Sequence, residues 1–221
     1  MAVPVIGLIG FIGSGKDTVA SRMIQQGATR DSFASPLKDL TASVFGWPRE
    51  LLEGDTVESR DFRETADMFW GRKLGIPNFT PRLALQLIGT DVMRNHFHTD
   101  IWLSSLEYRL RLRKKHSTTV VISDARFRNE LSLIKQMGGK VIWVQRGELP
   151  EWYSTAVKAN EGNVIAKKVM ETKYCDIHSS EWDWAGFDVD YIVKNDGTLD
   201  ELYDQLGVIQ AQISVPKLQA I

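Results

Sequence analysis

Apolar positions along the chain follow two alternating rhythms. Val3 to Ile9 is a continuous apolar run of strand length. A glycine-rich segment, Gly10 to Gly15, follows it, and Val19, Ala20, Met23 and Ile24 then recur at helical spacing between Lys16 and Gln25. A short strand is expected around Thr29 to Phe33. Ser35-Pro36 opens a helix with Leu37, Leu40 and Val44 on one side and Gly46 at its end. Thr80-Pro81 carries the cap and first-turn proline of a helix running to about Asn95, and Asp100 opens another reaching about Lys115. Thr118 to Ser123 is β-branched and almost wholly apolar, as a strand buried on both faces must be. A helix from about Asn129 to Met137 stops at Gly138-Gly139. Val141 to Val144 and Asp190 to Val193 supply two more strands, and a last helix starts at Leu199.

Strands that alternate with helices predict an α/β fold: a central parallel sheet covered on both faces and joined by right-handed crossovers. Two stretches break the rhythm. Arg49 to Gly75 is dense in charge of both signs, and Arg146 to Trp184 is largely polar. Both are expected as excursions from a single domain spanning residues 1–221, a length that suits one domain at roughly 100 to 200 residues each.

Composition narrows the function classes. Hydrophobic residues at 43% and charged residues at 25% are those of an ordinary globular chain, which excludes disordered and fibrous architectures. Lys plus Arg number 27 and Asp plus Glu 28, a net charge of −1, so a generic nucleic-acid coat is excluded and any grip on a polyanion must be local. Cys175 is the sole cysteine, which rules out an internal disulfide and a cysteine-built zinc site and fits a reducing compartment. No apolar run approaches the roughly 18 residues of a membrane span. The first apolar run has no basic residue before it and contains Pro4, Gly7 and Gly10, unlike a signal peptide. A cytoplasmic protein is expected.

The chemistry begins at Gly10-Phe11-Ile12-Gly13-Ser14-Gly15-Lys16-Asp17-Thr18, which matches the phosphate-loop spacing GxxxxGK between a strand and a helix. Glycines there expose backbone N–H groups to phosphate, and the helix dipole adds partial positive charge. Lys16 is placed to reach the terminal phosphates. Asp17 departs from the Ser or Thr that follows the lysine in the usual loop, which puts a carboxylate where a hydroxyl ordinarily meets Mg²⁺. Thr18 offers a hydroxyl from the first helical turn.

Asp124-Ala125-Arg126-Phe127-Arg128-Asn129-Glu130 lies just past the second buried strand, where open α/β sheets bind ligands. Asp124 suits Mg²⁺ or its water, and Arg126 suits the charge that spreads over a transferred phosphoryl group. Two other clusters carry less. His96 and His98 are two apart and share no helix face, which argues against a metal site. Arg109, Arg111, Arg113, Lys114 and Lys115 lie at a helix C-terminus, where the dipole favours cations, so they do not mark a nucleic-acid patch.

In these residues the chain resembles the P-loop nucleotide kinases, and most closely the deoxynucleoside monophosphate kinases of tailed phages. The resemblance is carried in order by Ser14-Gly15-Lys16-Asp17-Thr18, Ser35-Pro36-Leu37-Lys38-Asp39, Leu85-Gln86-Leu87-Ile88-Gly89-Thr90-Asp91, Asp124-Ala125-Arg126 with Glu130, Gly138-Gly139 with Arg146, and Lys194-Asn195-Asp196-Gly197. It is weakest over Arg49 to Gly75 and Glu148 to Tyr174.

The resemblance implies a P-loop NTPase three-layer sandwich with an acceptor-binding insertion near 49–75 and a lid near 146–184. It implies ATP and Mg²⁺ as cofactors, small nucleotide substrates, no stable nucleic-acid or membrane partner, and leaves room for a homodimer. A phage-encoded chain would work in the host cytoplasm. Lys16, Arg126 and Asp124 are the implied catalytic residues. Gly10, Gly13, Ser14, Gly15, Lys16, Asp17, Thr18 and Asn195 are implied to hold the nucleotide, with Asp17 and Asp124 on the metal. Lys38, Arg82, Gln86, Arg128, Arg146, His178 and Glu181 are the implied substrate contacts; Arg82 is set on the acceptor phosphate and Gln86, four residues on along the same helix, on a base edge. Dephospho-coenzyme A or phosphomevalonate kinases share the loop and the Asp-x-Arg, and a nucleotide-switch ATPase is a more distant alternative.

Overall fold

A computed structural model of the chain describes residues 4–113 and 118–214. Expectations touching Val3, Lys114 and Lys115 lie outside the described residues. β1 (Val5–Ile9) is buried at every position and leads through the glycine loop into α1 (Lys16–Gln25). β2 (Thr29–Asp31) and α2 (Ser35–Phe45) follow; α2 has a proline in its first turn and ends at Gly46 in left-handed backbone.

The charge-rich stretch after α2 is helical. A 3₁₀ turn, Arg49–Leu52, precedes α3 (Val57–Glu64) and α4 (Met68–Leu74). Polar caps explain how such short helices form: Thr56 Oγ1 accepts from the Ser59 amide while Ser59 Oγ accepts from the Thr56 amide, and Asp67 accepts from the Trp70 amide. Each contact satisfies an amide that a helix start leaves open. α5 (Pro81–Gln86) continues as a π-helix over Leu87–Phe97, and α6 (Ile101–Leu112) follows. The buried Trp102 indole donates to the carbonyl of Gly89, within the π-helix, at 3.0 Å.

Beyond these lie β3 (Val120–Ile122), α7 (Arg128–Gln136) and β4 (Lys140–Gln145). The second polar stretch holds α8 (Tyr153–Asn160), α9 (Val164–Thr172) and α10 (Ser179–Trp182), before β5 (Tyr191–Lys194) and α11 (Leu199–Ser214). The strands form one wholly parallel sheet in the order β2-β3-β1-β4-β5. β1 and β3 are not consecutive in the chain yet lie side by side, and the crevice beyond their carboxyl ends is where this kind of sheet takes ligands.

Two compact units can be distinguished, Met1–Ser32 with Leu110–Ile221, and Phe33–Arg109. The first holds the sheet. One face of it, Ile6, Leu8, Val121, Ile142, Val144 and Val193, is buried under Val19, Ala20 and Met23 of α1 and Leu202, Leu206 and Ile209 of α11. Each such aliphatic side chain contributes about 1.5–3 kcal/mol on burial. On the other face Gly7 admits α7, since a Cβ there would stand 2.6 Å from Ile134 Cδ1. The second unit packs around Trp47, Leu52, Phe79 and Ala84, with Phe45 stacked on Trp47 at 4.5 Å between ring centres. None of the helices among the described residues is long and apolar enough to cross a membrane.

Candidate active site

The glycine loop turns sharply because its backbone must. Gly10 (φ +149°) passes so near β4 that a Cβ would lie 2.3 Å from the Val144 carbonyl, and Gly15 (φ +99°) sits where a Cβ would lie 2.4 Å from Asn195 Nδ2. Only glycine fits either place. The Ser14 amide closes the turn onto the Phe11 carbonyl at 3.1 Å, and the Val19 amide bonds the Gly15 carbonyl at 3.0 Å to start α1. Asn195, just past β5, donates to the Ser14 carbonyl at 2.8 Å and props the loop from behind. Phe11 anchors it at the side, its ring 4.9 Å from Trp184 and 5.5 Å from Trp152 between centres.

A cavity of about 460 Å³ opens over this loop, bounded by Gly13, Lys16, Thr18, Arg146, Asn195 and Leu199. Lys16 Nζ folds back to donate to the Gly10 and Phe11 carbonyls at 2.7 and 2.8 Å. Burial, and then the nearby charge of Arg126, pulls its pKa down to about 8, against weaker support from Glu181 and Asp17. Arg146 Nη1 reaches 3.5 Å from the Gly13 carbonyl. Ser14 Oγ is buried and finds no hydrogen-bond partner.

At the end of β3, Asp124 is half-buried and the buried Glu130 shapes the loop after it, accepting from the amides of Arg126 (2.8 Å) and Phe127 (3.1 Å). Arg126 is exposed and pairs with Glu181 at 2.7 Å. Arg128 is half-buried: its amide donates to Asp183 Oδ2 (2.7 Å) and its guanidinium to the Asp183 and Ala185 carbonyls (3.0 and 2.8 Å). These bonds tie α7 to the segment after α10. His178 caps α10, its Nδ1 accepting from the Ser180 amide at 3.2 Å.

In the second unit Lys38 pairs with Glu53 at 2.6 Å and Arg82 with Glu64 at 2.5 Å, while Gln86 is exposed. Burial opposes the charge on Glu53, but its bonds to Lys38 and Arg49 outweigh that and hold its carboxyl below the usual range. Arg63 lies against the same loop, donating to the Glu53 carbonyl at 3.3 Å; burial and then the charge of Arg82 lower its pKa.

Comparison with known proteins adds to this geometry. The family profile described as deoxynucleotide monophosphate kinase matches residues 52–152. A candidate deoxynucleotide monophosphate kinase of Acanthamoeba polyphaga mimivirus is 37% identical, with 64% of this chain and 73% of that protein covered. The chain belongs to the deoxynucleotide monophosphate kinase family. A deoxynucleoside-5'-monophosphate kinase of Escherichia phage T5 is 28% identical over 59% of this chain and 71% of its own. Among solved structures, a dephospho-CoA kinase from Campylobacter jejuni aligns with 95% of this chain and 97% of its own at 16% identity and a TM-score of 0.45.

For a member of this family the donor set around the glycine loop fits a phosphate chain. It offers loop amides, one ammonium and one guanidinium, an unpartnered buried hydroxyl, and open space above Gly13, where a Cβ would meet nothing within 4 Å. A protein-only metal cage is a poorer fit, since no group of three His, Cys, Asp or Glu side chains converges among the described residues. Mg²⁺ ordinarily takes one or two carboxylates and completes its shell with phosphate and water, so Asp17 and Asp124 match a nucleotide-borne ion. The sequence reading gave no role to two residues. Glu130 was visible only as part of a motif, because a buried carboxylate that serves amides looks like any helical glutamate. Arg30, described below, had no signal beyond its charge.

Proposed function

We propose that this chain transfers the γ-phosphoryl group of ATP to the phosphate of a deoxynucleoside monophosphate, yielding ADP and the deoxynucleoside diphosphate. The observation that carries the reading is the glycine loop closing on Lys16 at the end of β1, in a chain of this family. A monophosphate oxygen attacks the γ-phosphorus, a new O–P bond forms, and the bond to the bridging oxygen breaks with its electron pair leaving on ADP. The attacking oxygen is already ionised near neutral pH, so no general base is required. The work left to the protein is alignment and charge compensation.

The loop amides from Gly13 to Thr18 bind the donor's phosphates. Lys16 exchanges its two loop carbonyls for β- and γ-phosphate oxygens, a stronger charge-assisted contact. Arg126, held by Glu181, meets the transferring group, and Arg146 covers the same phosphates from the end of β4. Mg²⁺, when bound, neutralises charge on the donor; Asp17 and Asp124 are the carboxylates that would hold it or its waters. In the second unit Lys38 and Arg82 meet the acceptor phosphate and Gln86 a base edge.

The test is release of ADP measured across the common ribo- and deoxyribonucleoside monophosphates, with dephospho-coenzyme A as an outside control. Turnover with deoxynucleoside monophosphates supports the reading. Turnover with dephospho-coenzyme A alone would replace it with the other kinase chemistry.

A further inference from the structure

Arg30 stands apart from its neighbours on β2. In the parallel pairing with β3 it lies beside Val121, whereas Thr29 and Asp31 lie beside Val120 and Ile122. Side chains in register share a face of the sheet, and successive ones alternate. Val121 belongs to the core under α1 and α11. Arg30 therefore leaves the sheet on the α1 side. Thr29 and Asp31 leave on the other, where Arg113 bonds Thr29 Oγ1 at 2.9 Å and Asp31 Oδ2 at 3.1 Å. A three-residue edge strand is thus fixed from one face while its other face delivers a guanidinium toward the glycine loop.

That guanidinium makes two bonds through one nitrogen. Arg30 Nη2 donates to Asp17 Oδ1 at 2.5 Å and to Ser123 Oγ at 2.8 Å. Ser123 immediately precedes Asp124, so Arg30 links the acid that follows Lys16 to the strand end that carries the second acid. The Asp17 and Arg30 side chains are 71% and 41% exposed. A pair so open to solvent adds little to stability.

Asp17 sets a negative charge at the mouth of a loop that receives a polyanion. We propose that Arg30 is a positioning residue for the donor site: it draws the Asp17 carboxylate toward Ser123 and cancels its charge, so that terminal phosphates can settle beside it. This rests on reading Gly10 to Thr18 as the phosphate loop. Arg30 acts through Asp17, so the two must be coupled.

The test is calorimetric binding of adenylyl-imidodiphosphate, without Mg²⁺, to wild type, Arg30→Ala, Arg30→Lys, Asp17→Asn and the Arg30→Ala/Asp17→Asn double variant. Arg30→Ala should weaken binding about tenfold, because the Asp17 charge is then left uncancelled beside the phosphates, and Arg30→Lys should recover most of it. The double variant should bind within about threefold of Asp17→Asn, because the charge that Arg30 cancels is gone. Arg30→Met, run in parallel, preserves the packing of the stem should the alanine variant fold poorly. Wild-type affinity in Arg30→Ala, or a tenfold loss that persists on the Asp17→Asn background, overturns the proposal while leaving the phosphate loop standing. An analogue that wild type does not bind overturns both.

Discussion

The Lys16 ammonium rests 2.8 Å from the carbonyl of Phe11, so the loop that is shaped for phosphate grips its own cation. Burial and Arg126 bring that cation's pKa to about 8. Incoming phosphates replace both carbonyls and favour the charged form. Affinity for an ATP analogue should therefore fall as pH rises through 8, and binding at pH 9 should take up about one proton. Titrations in two buffers of different ionisation enthalpy measure that uptake; a pH-independent affinity between 7 and 9.5, values taken to bracket about pH 8, would contradict it.

The same shift makes a statement about stability. Between a folded pKa of about 8 and the ordinary 10.5, the unfolded chain binds more protons than the folded one, so stability rises with pH across that window. Below it the full cost of burying the charge is present. Lys16→Met should raise Tm at pH 7, with the gap to wild type closing toward pH 10.5, and should reduce phosphoryl transfer at least about tenfold through loss of a contact of about 1.5–3 kcal/mol. Thermal melts across pH check the first part and steady-state kinetics the second.

Arg126 and Glu130 lie four residues apart and should fail differently. The Arg126–Glu181 pair is open to solvent on the arginine side, at 47% exposure, so Arg126→Ala should change stability by only about 0–1 kcal/mol while kcat drops sharply. Glu130 is buried beneath two amides, and Glu130→Ala leaves them without an acceptor at about 1–3 kcal/mol each. Its Tm should fall together with its activity. Equal losses of Tm in the two variants would contradict this division.

Gln86 is exposed on the helix that also presents Arg82. Gln86→Ala should raise the acceptor KM several-fold, about the worth of one or two neutral hydrogen bonds, and leave the donor KM and Tm near wild type. Equal changes in both KM values would remove Gln86 from base reading.

The sheet and its loop were legible in the sequence because their signals are local and strong. β1, β3 and β4 are short apolar runs rich in β-branched residues, and the helices at Lys16, Ser35 and Pro81 announce themselves by glycine, serine or proline at their starts. The helices between Arg49 and Gly75 were missed for a physical reason. They are short, they bury few residues each, and they are held by caps such as Thr56 with Ser59 that are unremarkable until an amide is seen to need them. The π-turns after Gln86 carry a bond from Trp102, thirteen residues beyond Gly89, and periodicity cannot register such a contact.

Part of the candidate site could be proposed from the sequence for the same reason. Gly10 to Thr18 and Asp124 to Arg126 follow strand ends, where sequence position and spatial position coincide. Arg128 shows the opposite case. A basic residue two places after Arg126 invites a substrate role, and only the structure shows that its bonds run to the Asp183 and Ala185 carbonyls, more than fifty residues away. Arg30 is the converse, because only the register of β2 on β3 reveals that it points at Asp17.

The most direct test of the account is ³¹P NMR of the protein with ATP, Mg²⁺ and a single deoxynucleoside monophosphate. The monophosphate resonance should be replaced by that of a deoxynucleoside diphosphate, in step with ADP and without free phosphate, and Lys16→Ala should slow the change at least about tenfold. Accumulation of inorganic phosphate with the monophosphate untouched would contradict it.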